Sequence, residues 1–224
     1  ITPSDLSLQV NLSNQATGTA ADNSIIDFNS TNFDLVTGTG TSLTLDADGS
    51  LGDLIRATGD FVISFGGVLR ASGSVGFERS TRTLTLESGT TADADVLSFG
   101  GEGLSLFVGA NAGDPDQIGL EVSNVELGVA LAFSKAETGD AAIDNAEWLF
   151  AQASAEKAGL VGVPGITASV DTVTVELAQV LSEDDASNAL MVDFANTEIA
   201  VPTGADSSTT LSLDSDRGEY VRAA

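Results

Sequence analysis

The chain contains no cysteine and no histidine. Disulfides are therefore excluded, as are zinc sites built on those ligands and the Ser-His and Cys-His nucleophile pairs. The lack of disulfides does not by itself indicate a compartment. Lysine occurs only at Lys135 and Lys157, and 8 basic residues face 33 acidic ones, leaving a net charge of −25. Such a surface repels nucleic acid and anionic lipid, so neither is an expected partner. Tryptophan and tyrosine occur once each, too few for the aromatic wall of a sugar-binding cleft. No apolar run approaches the roughly 20 residues that a membrane-spanning helix needs, so membrane insertion is not expected. Only four prolines are present, and no proline-rich linker divides the chain.

What remains is rich in Val, Leu, Ile, Ala, Ser, Thr and Gly, a composition suited to ordered β structure. Apolar residues alternate with small or polar ones through most of the sequence, which predicts strands with one buried face. Phe61, Ile63 and Phe65 share a parity, and Leu69, Ala71, Val75 and Phe77 follow. Leu84 and Leu86 mark a short strand, Leu104 to Ala110 another, and Ile118, Leu120 and Val122 the next. Parity then switches at Ser123-Asn124, the pattern of a β-bulge, before Val125 to Phe133 continue. Acidic clusters such as Glu87-Ser88-Gly89, Glu137 to Asp140 and Ser182 to Asp185 read as turns. Residues 141–158 fit two patterns. Helical spacing runs from Ala142 to Ala153 with Asp140 as cap and Gly159 as stop, whereas Trp148, Phe150 and Gln152 alternate as a strand, the reading favoured for the second half. About ten strands per 166 residues are expected.

The opening of the chain is written again at its end, and a period missed here would misread the whole fold. Ser7 to Leu12 matches Thr172 to Leu177, Asp27-Phe28 matches Asp193-Phe194, and Thr37-Gly38 matches Thr203-Gly204. Leu43 to Asp48 matches Leu211 to Asp216, and Ile55-Arg56-Ala57 matches Val221-Arg222-Ala223. The expected organisation is a period of about 166 residues. Residues 1–58 are the C-terminal part of one repeat, and 59–224 a full repeat in which 166–224 is equivalent to 1–58. Ile1 carries neither an initiator Met nor a basic leader, so the chain is expected to be a piece of a longer array that continues with a segment like Gly-Asp-Phe. The fold class is all-β, an elongated tandem-repeat architecture: continuous sheet, solenoid-like stack or file of sandwiches. Neighbouring copies meeting end to end are the expected partners, with lateral self-association as a further option.

The polar motif with most chemical content is Asp46-x-Asp48, followed by Asp53, and its second copy Asp214, Asp216 and Glu219. Carboxylates at alternate turn positions can converge on a hard cation. Calcium is the candidate ion, and no cofactor is required. A solvated acidic turn is the competing reading. As an EF-hand loop the motif fails, with Leu51 where Gly belongs and Ala57 where Glu belongs. Asn111, Asp114 and Asp116 form a second such loop. Gly100-Gly101-Glu102-Gly103 lacks the Lys of a phosphate loop and reads better as close packing. Trp148 reads as core rather than a sugar platform. Asn11-Leu12-Ser13 and Asn29-Ser30-Thr31 match the glycosylation sequon. Lys135 and Lys157 leave an isopeptide cross-link open. Phe28 and Phe194 read as a core layer, and Arg56 and Arg222 as neutralisers of local acids. With 33 acids some close carboxylate pair is inevitable, so no catalytic residue is assigned and no enzyme is expected.

The runs Ala57 to Phe65, Ala71 to Glu78, Gly103 to Gly109 and Leu160 to Ile166 resemble repeats of giant secreted bacterial surface proteins, which are adhesin-like and often carry haemolysin-type calcium-binding segments elsewhere. The resemblance implies an extracellular or cell-surface location and a structural or adhesive role. The expected function is a structural repeat of a long fibre, stalk or filament. The alternative is a calcium-dependent adhesin module using its acidic loops.

Overall fold

Period-two alternation over long stretches leaves little room for anything but strands. In the computed structural model, residues 2–13, 25–31, 33–182 and 188–224 are described. Ile1 and the acids Glu183 to Asp185 of the expected turn lie outside them. The described residues form twelve strands, one single-turn α-helix and three short 3-10 turns, so the chain is all-β.

Eight strands make one sheet. They are β1 (Thr2–Asn11), β4 (Leu54–Phe65), β5 (Leu69–Thr85), β6 (Thr91–Ala110), β7 (Ile118–Ser134), β8 (Glu147–Val161), β9 (Ser169–Val180) and β12 (Tyr220–Ala223). They lie in that order, each antiparallel to its neighbour. Two separate hairpins are inserted: β2 (Phe33–Gly38) with β3 (Thr41–Leu45) between β1 and β4, and β10 (Ile199–Pro202) with β11 (Ser208–Leu211) between β9 and β12. No described helix is long and apolar enough to cross a membrane.

The strands are longer and fewer than alternation predicts. Leu84 belongs to β5, which runs on through the polar stretch Glu78 to Thr83, and Leu104 belongs to β6, where the intervening glycines shift the register without ending the strand. β6 runs unbroken through Gly100 to Gly103, with shifts opposite β5 and β7 on either side of Leu104. Between Leu106 and Leu104, β6 advances two residues while β7 advances three, from Val122 to Val125. The extra residue falls at the expected bulge, and Asn124 there has φ 50°. The segment 141–158 resolves into both of its readings in turn. Asp140 caps the one-turn helix α1 (Ala141–Asp144), accepting from Ala142 N–H at 3.0 Å, and β8 follows with Trp148, Phe150 and Gln152 on one face. Gly159 lies within β8 rather than stopping a helix.

The core sits on one face of the sheet, under β10–β11 and residues 190–192. Trp148 and Phe150 from β8, Val96 from β6 and Leu84 from β5 pack beneath Ile199, Val201, Leu211 and Met191. The remaining positions on that face are small: Ala94, Ala130, Ala132 and Ala178. Small side chains let the hairpin backbone seat directly on the sheet. Gly76 and Gly100 mark the closest approach, since a Cβ on either would run into Pro202. Fully burying each such Leu, Ile, Val or Phe stabilises the fold by about 1.5–3 kcal/mol. The opposite face carries an apolar row in register through all eight strands: Leu8, Ala57, Phe77, Phe99, Val129, Ala151, Leu177 and Val221.

Candidate functional site

The predicted acids cluster where each hairpin returns to the sheet. Asp48 caps the 3-10 turn Gly49–Leu51, its carboxylate accepting from Ser50 N–H at 2.8 Å. Asp214 occupies the cap of the turn Ser215–Arg217 but turns its carboxylate to Arg217 Nε at 2.6 Å. Both turns close on a glycine of nearly the same conformation, Gly52 at φ 63° and Gly218 at φ 68°, a region an L side chain rarely adopts.

The next acid does the same task at both ends of the sheet. Asp53 accepts from Ser13 N–H at 2.7 Å, and Glu219 accepts from Val180 N–H at 2.8 Å. Each carboxylate ties the start of one strand to the chain leaving its neighbour, satisfying an N–H that the ladder leaves unpaired. Asp46 accepts from Gln9 Nε2 at 2.9 Å, and Asp216 lies within its 3-10 turn. Thus Asp46, Asp48, Asp53, Asp214 and Glu219 each hold a protein donor. Among the described residues, no group of three or more acids is arranged to hold a metal ion. In the second loop, Asn111 Nδ2 donates to Asp116 at 3.3 Å, and Asp114 lines a cleft beside Arg70.

A cleft of about 840 Å³ lies between the two hairpins. Asp46 and Asp48 line one wall, Asp206 to Ser208 the other, and its floor holds Glu78 with Arg56 and Arg82. Glu78 is almost fully buried. It accepts from Arg56 Nη2 at 2.6 Å, Arg82 Nη2 at 2.9 Å and Ser80 Oγ at 2.9 Å. Burial pushes its carboxyl up, and the two guanidinium groups overcome this and hold it below its ordinary value. Arg82 also donates to Ala200 O at 3.1 Å, fastening β10 to the sheet. This triad is built across β4 and β5, with Glu78, Ser80 and Arg82 on alternate positions of one strand. Charge recurring at period two inside a small-residue strand is the signal that sequence reading passed over.

The other marked residues are structural. Trp148 is buried, its Nε1 donating to Leu190 O at 2.7 Å. Phe194 meets Phe150 edge-on at 4.9 Å between ring centres. Asn11 is buried and donates to Ile26 O at 2.9 Å, so the first sequon presents no free amide. Asn29 is exposed in a turn. Lys135 pairs with Asp95 at 3.3 Å, and Lys157 lies opposite Ser123 and Asp171. Arg222 reaches Glu176 at 3.7 Å, on the exposed counterpart of the strand pair that holds Arg56.

Correspondence between the two ends extends to single interactions. The Asp27 carboxylate accepts from Asn29 N–H and Gly49 N–H, and that of Asp193 from Ala195 N–H and Asn196 Nδ2. Both are held below the ordinary carboxylate range, Asp27 chiefly by Gly49 N–H and Asp193 chiefly by the Asn196 amide. Positive φ falls at Asp5 in β1 and at Thr172 in β9. Strand pairing sets Leu8 opposite Ala57 and Val175 opposite Ala223. In this frame Leu8 corresponds to Val175 and Asp48 to Asp214, two residues away from the frame that sequence matching selects.

No family model matches the chain, and no curated protein or solved structure is similar to it.

Proposed function

We propose that the chain is a structural repeat of a long fibre, stalk or filament on a bacterial surface, supplying length and mechanical support. One observation carries the reading: strand, hairpin, 3-10 turn and strand occur in the same order, with the same acid and glycine positions, at both edges of one sheet. A sheet whose last strands restate its first can grow by adding copies, each new copy pairing its leading strand with the open edge of the one before. The growth direction is across the strands. Six sheet strands per 166 residues at about 4.8 Å each give about 29 Å of filament per copy.

The charge of −25 supports a solvated exterior that keeps long polymers apart, and a saline extracellular medium would screen the self-repulsion. The work is done by main-chain ladders and buried apolar area rather than by a reacting group.

Chains carrying two, three and four copies of residues 59–224 test the array by small-angle scattering. The maximum dimension should rise linearly, by about 29 Å per copy. A radius growing as the cube root of mass would refute it. An antiserum against the folded chain should label intact producing cells, and labelling only after permeabilisation would remove the surface from the proposal.

A further inference from the structure

The hairpin β2–β3 is built like β10–β11, but its apolar side chains are exposed among the described residues. Phe33 and Leu35 are 54% and 47% exposed, whereas Ile199 and Val201 at the corresponding positions are both 0% exposed. The covering of β10–β11 is supplied by β5 to β8, the four long strands that precede it in the chain. β1 shows the same contrast: Leu6 and Leu8 are exposed on an unpaired edge, whereas β9 is paired along its length with β8.

We propose that β2–β3 and the edge of β1 dock onto the β5–β8 strands of a second copy of this sequence, lying before residue 1, as β10–β11 and β9 dock onto β5–β8 here. This deepens the tandem reading and rests on it. The occupant is specified by three features of the seat. Its surface combines alanines and glycines with Leu84, Val96, Trp148 and Phe150, so a hairpin backbone can seat directly on the sheet. Phe194 fills the gap beside Phe150, and Phe28 occupies the matching place in the first module, ready for the Phe150 of the preceding copy. Beneath the hairpin tip the seat presents Glu102, which accepts from Thr203 Oγ1 at 3.0 Å, and Thr37 stands at the matching place in β2–β3. Within a single chain the seat is filled by that chain's own β10–β11, so free copies do not compete for it.

The absence of cysteine makes the test direct. Leu35→Cys introduces a sole thiol in the 224-residue chain and in an extended chain with residues 59–165 repeated ahead of residue 1. Maleimide labelling should be fast in the first and about 100-fold slower in the second, as for a site that reacts only through local opening. Phe33→Cys should behave alike, and Val68→Cys, on an exposed turn, should label fast in both. Equal rates at Leu35→Cys and Phe33→Cys in the two chains would overturn the docking. So would an extended chain that fails to fold while the 224-residue chain folds, because a seated hairpin adds only favourable contacts. Scattering separates the two levels of the argument. Four added strands should lengthen the particle by about 19 Å. Lengthening without protection keeps the array and overturns the docking; protection without lengthening keeps the docking and overturns the linear array.

Discussion

β10–β11 and β2–β3 differ in what lies beneath them rather than in what they are made of. Each is a short antiparallel pair with Leu, Ile, Val or Phe at alternate positions, entered from a long strand and left through a 3-10 turn. One completes a core and the other faces solvent. The lesson is that the module carries its fold locally, while its stability comes from the neighbour it lands on. The two salt-bridged arginines repeat the point. Arg56 reaches a buried Glu78 supplied by the next strand, and Arg222 has only the half-exposed Glu176.

The contrast is easiest to break at the hairpins. Leu211→Asp buries an unpaired charge and should cost more than about 4 kcal/mol, enough to abolish the cooperative urea transition. Leu43→Asp in the bare hairpin should change stability by less than about 0.5 kcal/mol. Comparable losses would mean that β2–β3 is covered in the isolated chain. Next comes the triad. Glu78→Gln leaves Arg56 and Arg82 without their shared carboxylate and should cost about 3 kcal/mol. Because the folded carboxyl of Glu78 lies below its ordinary 4.5, its contribution is complete above about pH 4.5 and fades as pH falls through the folded value. Urea midpoints measured down the acid limb should therefore drop less steeply in Glu78→Gln than in the parent. A parallel decline would assign the acid sensitivity to other carboxylates.

Smaller effects sharpen the comparison. Arg222→Ala removes an exposed pair and should cost under about 1 kcal/mol, with the difference erased in high salt. If it costs as much as Arg56→Ala, the two modules are equally buried. Calcium should matter least. Five of the six predicted acids already hold protein donors, so a millimolar addition should move the melting temperature no more than magnesium at the same concentration does. A large, calcium-specific rise, absent in Asp48→Asn, would favour the adhesin reading of those loops.

Much of this architecture is legible in the residues. The parity switch at Ser123-Asn124 gives the bulge, and the alternation of Trp148, Phe150 and Gln152 gives the covered face of β8. Two things were not legible, for definable reasons. A slip of two residues leaves every side chain of a strand on its own face, so matching Ser7 to Thr172 satisfies alternation as well as matching Leu8 to Val175. The choice is made by the positive-φ positions Asp5 and Thr172, which composition does not mark. The acids are ambiguous for a different reason. A cap, a strand-end tie and a calcium loop all call for Asp near Gly, and only the position of the N–H donors tells them apart. Glu78 was missed because its partners sit on two strands that the sequence separates.

The meander connectivity has a consequence for the proposed filament under load. From β4 to β9 each strand pairs with the one that follows it in the chain, so tension along the growth direction acts at the free edge and opens the ladder one bond at a time. A strand the length of β6, 20 residues, would release up to about 70 Å of chain as it peels away. Such a thread yields by paying out slack at low force rather than by snapping, and it re-forms when the pull relaxes. A single-molecule extension trace should show it as a sawtooth whose steps follow the strand lengths, from 12 residues in β4 to 20 in β6.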